Sequence, residues 1–349
     1  MNKANYKDPL YRKIYKSITE DIGLQKDVRL SINTLMERYS ISRNTAYRII
    51  ALLEENGWVR KIQGRGTFPV PRSTEKIHSI NILYNESYFE EHLVNRYPYA
   101  HFQILKGILS SELSDKCNVK IMLFKNTEPH ESKLEKIKSS GPSEGYLILD
   151  PQGMKSIIEC LKKERFPYVC FAPPGSDCNY ISYRNYDAVY RGICQLLQAG
   201  KRNILFLGNK DNEWISQRYS AFCDAMKSFG IKTDKRDLID LDACGMSEFL
   251  AIVKRKQNPP DGIFVSTFIT GQKILASFEL SGIKTPDDMA FMGFFDIPEY
   301  KDKGISTVNV PLQEIGKSMV KKLLEQIEVG YRDDIALELD CDLIIRNSF

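Results

Sequence analysis

Apolar residues recur at every fourth position near the start of the chain: Leu10, Ile14, Ile18 and Ile22, with Gly23 after them. That spacing predicts a helix over Pro9 to Ile22. Ser31 is placed to cap a second helix running to about Arg38, with Leu35 and Met36 inward, and Tyr39-Ser40-Ile41 forms a tight connection. Ser42 caps a third predicted helix, Arg43 to Asn56. On it Ala46, Ile49, Ile50 and Leu53 share one side, while Arg43, Asn44, Tyr47 and Arg48 share the other. Gly57 stops that helix. Val59 to Ile62 reads as a short strand, Thr67-Phe68 begins another, and Gln63-Gly64-Arg65-Gly66 is a turn whose glycines accept positive φ. Arg65 sits at the tip, between two residues too small to cover it.

The pattern then changes. "FPVPRSTEKIHS" is polar and proline-punctuated, a hinge rather than an element. This gives a head over residues 1–70, a linker over 71–78 and a body over 79–349. In the body the apolar runs are short and continuous: "INILY", "NVKIMLF", "GYLILD", "PYVCF", "NILFLG", "GIFVS" and "AFMGF". Strands buried on both faces read this way. Helical stretches lie between them, including Phe102–Leu113, Asp187–Ala199, Arg218–Phe229 and Gly271–Ser281. The alternation predicts a doubly wound α/β body with parallel sheets, large enough for two lobes and a cleft.

Charge sharpens the division. Residues 1–76 hold 15 Lys and Arg against 8 Asp and Glu, whereas the remainder holds 34 against 37. A basic head on a slightly acidic body points to a polyanionic partner for the head. No apolar run reaches membrane-spanning length, and the N-terminus lacks a signal-peptide core, so the expected location is the cytoplasm. The eight cysteines all follow residue 116 without metal-like spacing, as free thiols in a reducing compartment would. The four histidines, His78, His92, His101 and His130, form no triad or metal set. No cofactor, no metal and no catalytic group is expected.

Short helix, three-residue turn, polar-tipped helix and basic glycine hairpin together describe a winged helix-turn-helix. Arg43 and Asn44 suit base edges in the major groove, and Arg65 suits the adjacent minor groove. Residues 9–70 resemble the GntR-type DNA-binding domain, through "ENGWVRKIQGRGTF" and "ISRNTAYRII". The chain departs from that family at Asn33 and Tyr47, where arginines are frequent. The resulting candidate DNA contacts are Ser31, Asn33, Ser42, Arg43, Asn44, Thr45, Tyr47, Arg48, Gln63, Gly64, Arg65 and Gly66.

The body resembles the LacI/GalR effector domain, related to periplasmic sugar-binding proteins. "SEGYLIL", "QLLQAGKRNILFLG", "RYSAFCDAMKSFGI", "PPDGIFVS", "GIKTPDDMAFMGFFD", "ISTVNVPLQEIG" and "LIIRNSF" carry the resemblance, in the family's order. A GntR-type head on such a body resembles the arabinose-repressor architecture. The resemblance implies three lobe crossings, near residues 180–184, 305–309 and 327–334. It also implies that Arg218 grips an effector and that Asp296 adjoins the ligand. Tyr84 and Tyr88 follow the first body strand, as a surface for stacking a sugar or as local packing. The remaining cleft candidates are Arg184, Trp214, Thr267, Phe268 and Phe295. Phe268 and Phe295 stand where the family places carboxylates, and Arg184 where it places an aspartate, which favours an anionic or apolar effector over a plain sugar.

The leading expectation is a DNA-binding transcription regulator, a homodimeric repressor on a near-palindromic operator, whose affinity responds to a sugar or a sugar acid or phosphate. The alternatives are a ligand-binding or enzymatic protein whose basic head serves another partner, and a regulator with a degenerate cleft.

Overall fold

The computed structural model describes residues 10–23, 30–62, 66–70, 77–86, 99–110, 116–125, 127–151, 153–209 and 211–349. Contacts divide the chain into two units that meet between Lys76 and Ile77.

The first unit has helices α1 (Leu10–Gly23), α2 (Ile32–Tyr39) and α3 (Arg43–Glu55), then strands β1 (Val59–Ile62) and β2 (Gly66–Pro69). The expected apolar stripes are its core: Ile14, Ile18, Ile22, Leu35, Ala46, Ile49, Ile50 and Leu53 are all buried. Ser31 accepts a hydrogen bond from the Thr34 amide at 3.0 Å, and Ser42 from the Thr45 amide at 3.3 Å, so both expected caps form. Ser40 takes the left-handed conformation, φ 50°, that lets the short α2–α3 turn close. β1 and β2 pair antiparallel from Val59↔Pro69 to Ile62↔Gly66, and Leu30 bridges Thr67. That bridge ties the hairpin to the segment entering α2.

The second unit is two parallel sheets flanked by helices. One lobe's sheet has β3 (His78–Asn85), β4 (Cys117–Phe124), β5 (Gly145–Ile148), β6 (Tyr168–Phe171), β7 (Tyr180–Tyr183) and β13 (Ala336–Leu339), in the order β13-β7-β6-β5-β3-β4. Helices α4 (Tyr99–Leu109), α5 (His130–Ser139), α6 (Lys155–Lys163) and α13 (Leu312–Val329) belong to this lobe. The other lobe's sheet has β8 (Ile204–Leu207), β9 (Leu238–Ile239), β10 (Gly262–Val265), β11 (Ala290–Phe294), β12 (Ser306–Asn309) and β14 (Asp342–Ile344). Its order is β14-β12-β11-β10-β8-β9, and only β14 runs antiparallel to its neighbour. Its helices include α7 (Asn185–Gln198), α8 (Glu213–Ser228), α9 (Leu241–Cys244), α10 (Met246–Val253), α11 (Phe268–Ser281) and α12 (Pro298–Asp302).

Two lobe crossings fall close to their expected places, between Tyr183 and Asn185 and between Asn309 and Leu312. The third does not lie at 327–334. The chain stays in the first lobe through β13, because Ala336–Leu339 completes that lobe's sheet against β7, and it crosses only at Asp340-Cys341. The four expected body helices all start earlier than expected, at Tyr99, Asn185, Glu213 and Phe268, the last two at side-chain caps. Asn212 accepts from the Ile215 amide at 3.3 Å and Thr267 from the Thr270 amide at 3.3 Å.

α4 and α13 pack closely through facing glycines. A Cβ on Gly107 would strike the Gln313 backbone, and one on Gly316 would strike the Ile104 carbonyl. Both positions serve the approach of two backbones, not a turn.

Candidate nucleic-acid interface and ligand cleft

On α3 the buried stripe leaves the opposite face to solvent. Arg43, Asn44, Tyr47 and Arg48 are exposed, Tyr47 by 53%. They do not act alike. Arg48 lays its guanidinium over the Tyr11 ring, 4.1 Å from the centroid, and donates to the Tyr11 hydroxyl at 3.4 Å. It braces α3 on α1, while Arg43 and Asn44 project from the first turn. Ser42 and Thr45 bond each other's hydroxyls at 2.9 Å, and Ser31 pairs with Thr34 at 2.6 Å, so these hydroxyls hold helix starts. Asn33 and Gly66 are exposed. Gln63, Gly64 and Arg65 lie outside the described residues.

In the body, the carboxyl ends of β7, β8, β10 and β11 converge, as parallel sheets arrange their ligand crevices. Arg218, in the second turn of α8, is at the centre and only 3% exposed. Its Nε donates to Asn185 Oδ1 at 2.8 Å, one terminal nitrogen to the Ser266 carbonyl, and the other to the Tyr183 hydroxyl at 2.7 Å. Its planar face covers Phe294, 3.8 Å from the ring centroid. Burial pushes the Tyr183 hydroxyl up to about 12, against the pull of Arg218, so it stays protonated.

Aromatic rings from both lobes meet around this arginine. Trp214 stacks on Tyr183 at 4.8 Å and on Phe171 at 5.2 Å. His101 sets its edge against Phe171 and against Tyr84, which is buried at the end of β3. Tyr99, at the start of α4, meets Phe268 at 5.7 Å and Phe295 at 6.4 Å, and its hydroxyl reaches the Asp296 carbonyl at 3.2 Å. Burial first, then Asp296 and Glu299, raise the Tyr99 pKa and keep that donor in place. Phe295 holds a left-handed backbone, φ 69°, which a bulky side chain rarely adopts. Thr267, Phe268, Phe295, Trp214 and Arg218 are therefore drawn together with Tyr84. Tyr88 lies outside the described residues.

Two candidates carry charges paired with other side chains. Arg184 is not in the cleft. It is half-exposed and pairs with Asp340 at 2.9 Å, lining a separate cavity with Asp187, Tyr190, Arg191 and Asp342. It is the residue at the N-cap of α7, and its side chain turns to Asp340. The Asp296 carboxylate faces Arg346 at 2.8 Å and Lys301 at 3.6 Å, while its carbonyl stays beside Tyr99.

A cavity of about 940 Å³ opens beside the aromatic cluster. Asp150, Pro151, Lys155 and Lys162 line it from one lobe, with the turn Pro173–Cys178, and Asp211 to Trp214 line it from the other. Its charged groups are five acids, Asp150, Glu159, Asp177, Asp211 and Glu213, against Lys155 and Lys162. The groups that hold Arg218, namely Tyr183, Asn185, Ser266 and Phe294, are not among the candidates drawn from the sequence. Tyr180–Tyr183 forms a strand that no continuous apolar run announces, although its aromatic and β-branched residues are strand formers. Among the described residues, no three His, Cys, Asp or Glu side chains converge to hold a metal, and no helix is long and apolar enough to cross a membrane.

Comparison with known proteins agrees with this architecture. Residues 193–349 match the periplasmic binding protein-like domain. The chain is 23% identical over 354 residues to the arabinose metabolism transcriptional repressor of Halalkalibacterium halodurans, across 92% of this chain and 89% of that one. It is 25% identical over 173 residues to the transcriptional repressor CytR of Escherichia coli K12, covering 47% of this chain and 50% of that one. A structure of a LacI-family regulatory protein from Chloroflexus aggregans superposes with TM-score 0.65 at 18% identity, over 77% of this chain and 98% of that one. A structure of the regulator CelR with cellobiose gives 0.64 at 16% identity, over 98% and 100%. The body of this chain is thus a two-lobed, periplasmic-binding-protein-like domain, and its relatives in sequence are transcriptional repressors, not enzymes.

Proposed function

We propose that the chain is a sequence-specific DNA-binding transcription regulator, a cytoplasmic repressor whose DNA affinity responds to a small molecule between the lobes of its body. One observation carries the reading most directly. The capped first turn of α3 presents Arg43 and Asn44 outward while the rest of the helix is locked into a core beside a two-stranded hairpin. The reading takes the first unit as a winged helix-turn-helix of the GntR kind, α3 in the major groove and the β1–β2 hairpin as wing. The family match covers only residues 193–349, so that assignment of the head rests on its own motifs and geometry.

The effector reading changes with the geometry. With Arg184 outside the cleft and Arg218 engaged by protein groups, the case for an anion loses its two arginines and keeps only the carboxylates missing at Phe268 and Phe295. Five acids against two lysines on the cavity wall, beside the Trp214 ring, fit a neutral or cationic ligand rich in hydroxyls. The relative solved with cellobiose supports a carbohydrate class. Ligand closure of the lobes would favour one arrangement and operator DNA another.

We further read the working form as a homodimer joined through the body. α4 leaves Phe102 63% exposed, with Leu109 exposed beside it, and edge strand β4 leaves Ile121 and Leu123 exposed on the sheet face that α4 covers. An apolar helix face next to an uncovered edge suits a second copy.

The test is binding to an operator selected from random duplexes. Arg43→Ala is expected to relax sequence choice and to weaken binding by about 1–3 kcal/mol. Undiminished affinity and selectivity in that variant would remove α3 from the groove. A carbohydrate panel followed by thermal shift, repeated in Trp214→Ala, tests the cavity.

A further inference from the structure

The solvent face of α3 does not offer all of its side chains equally. Arg43, Asn44, Tyr47, Arg48 and Ala51 are exposed on it. Arg48 is engaged within the head, its guanidinium 4.1 Å from the Tyr11 ring centroid and 3.4 Å from the Tyr11 hydroxyl. Among the described residues, the side chains of Arg43, Asn44 and Tyr47 have no hydrogen-bond, ionic or ring partner. Ala51, one turn beyond Tyr47, adds almost no bulk to the same stripe. At the far end of the helix Glu55 is exposed, and Glu54 is held by Lys61 at 2.7 Å. Carboxylates there repel phosphates, so the face suits a polyanion only over its first two turns.

Tyr47 is the one large apolar group in that window, and 53% of it is exposed. Its ring gains most from contact with another apolar group. In the major groove only one base carries such a group on its edge, thymine with its C5 methyl. We propose that Tyr47 reads a thymine methyl in the operator and so sets base choice at a position beside the Arg43 contact. The inference rests on the reading that α3 lies in the major groove.

The spacing fixes where that thymine lies. Arg43 and Tyr47 are four residues apart, on one side of the helix and about 6 Å apart along its axis. Base pairs are about 3.4 Å apart, so the thymine falls within about two base pairs of the base that Arg43 reads. Tyr47 brings no charge to the groove. Its removal therefore leaves the salt dependence of binding unchanged, whereas removal of a phosphate-binding cation flattens it. 5-Methylcytosine carries a methyl at the same place on its ring, so it satisfies the tyrosine where cytosine does not.

The experiment uses the full chain and the duplex it selects from a random pool. Each thymine of that duplex is replaced in turn by deoxyuridine, which removes the methyl and leaves base pairing intact. One replacement near the Arg43-dependent position should weaken binding about three- to fivefold, the gain from one buried methyl. In Tyr47→Ala that penalty should vanish, and in Tyr47→Phe it should persist. Changing the thymine to cytosine should weaken the parent, and 5-methylcytosine should restore part of the loss, but not in Tyr47→Ala. The position is exposed and alanine is the better helix former, so Tyr47→Ala keeps the head folded. A deoxyuridine penalty that survives in Tyr47→Ala would overturn the proposal, as would an operator on which no thymine responds. Equal losses in Tyr47→Phe and Tyr47→Ala would assign the contact to the hydroxyl and overturn it too. If it falls while Arg43→Ala still relaxes sequence choice, α3 stays in the groove and only the role of Tyr47 is lost. If Arg43→Ala is also without effect, both readings fall.

Discussion

Arg218 was expected to grip a ligand, and the protein's own groups hold it instead. Three of its donors are taken by Asn185, Ser266 and Tyr183, and one face by Phe294. Hydrogen bonds to a buried charge are worth more than neutral ones, and removing one member strands the others. Arg218→Met is therefore expected to lower stability by about 3–5 kcal/mol in urea unfolding. Arg218→Lys, which keeps the charge but cannot fork, should recover only part of that loss. A variant as stable as the parent would return Arg218 to the role of a free ligand group. Phe295 gives a prediction of unusual sign. Alanine normally beats glycine within a fold, but at φ 69° glycine alone is unstrained. Phe295→Gly should exceed Phe295→Ala in unfolding free energy by about 1 kcal/mol in urea, although both fall below the parent. The sequence marked both residues as noteworthy. It did not show their partners, because Tyr183 and Ser266 end strands that touch Arg218 only after the sheet is assembled.

Elements were legible where periodicity was strong. The stripe Ile14, Ile18, Ile22 and the caps Ser31 and Ser42 place α1 to α3 almost to the residue, since each cap satisfies an otherwise orphaned amide. Ser42→Ala should cost the head about 1 kcal/mol, measurable by thermal unfolding of residues 1–76. β7 and β13 were not legible. Each is four residues long, and β13 is too exposed for a continuous apolar run, so only its pairing with β7 identifies it. The α4–α13 contact was likewise silent, because a glycine in a helix reads as a weakness. Here the reverse holds. Gly107→Ala and Gly316→Ala should each gain helix propensity of about 1 kcal/mol yet lose more, about 1–3 kcal/mol or beyond, to backbone collision. A raised melting temperature in either variant would show that the two helices can separate without loss.

For the whole molecule, the division between Lys76 and Ile77 sets a clear expectation. Residues 77–349 should sediment as a dimer at micromolar concentration and residues 1–76 as a monomer, with salt-sensitive DNA binding retained by the latter. Dimerisation of the head alone would relocate the interface from the α4–β4 face. The third crossing, at Asp340-Cys341 rather than before β13, bears on how the chain is made. Ribosomes deliver β3 to β7 early, but α13 and β13, which complete that lobe, emerge only after nearly all of the other lobe. Until then Tyr180–Tyr183 offers an open edge to any neighbouring nascent chain. A ribosome-bound chain halted at Asn309 should be cleaved readily within β3 to β7 by added protease, whereas one extended past Leu339 and clear of the exit tunnel should resist. The lobe translated first is thus the last to be finished, and a truncating mutation late in the gene would leave its oldest strands unprotected.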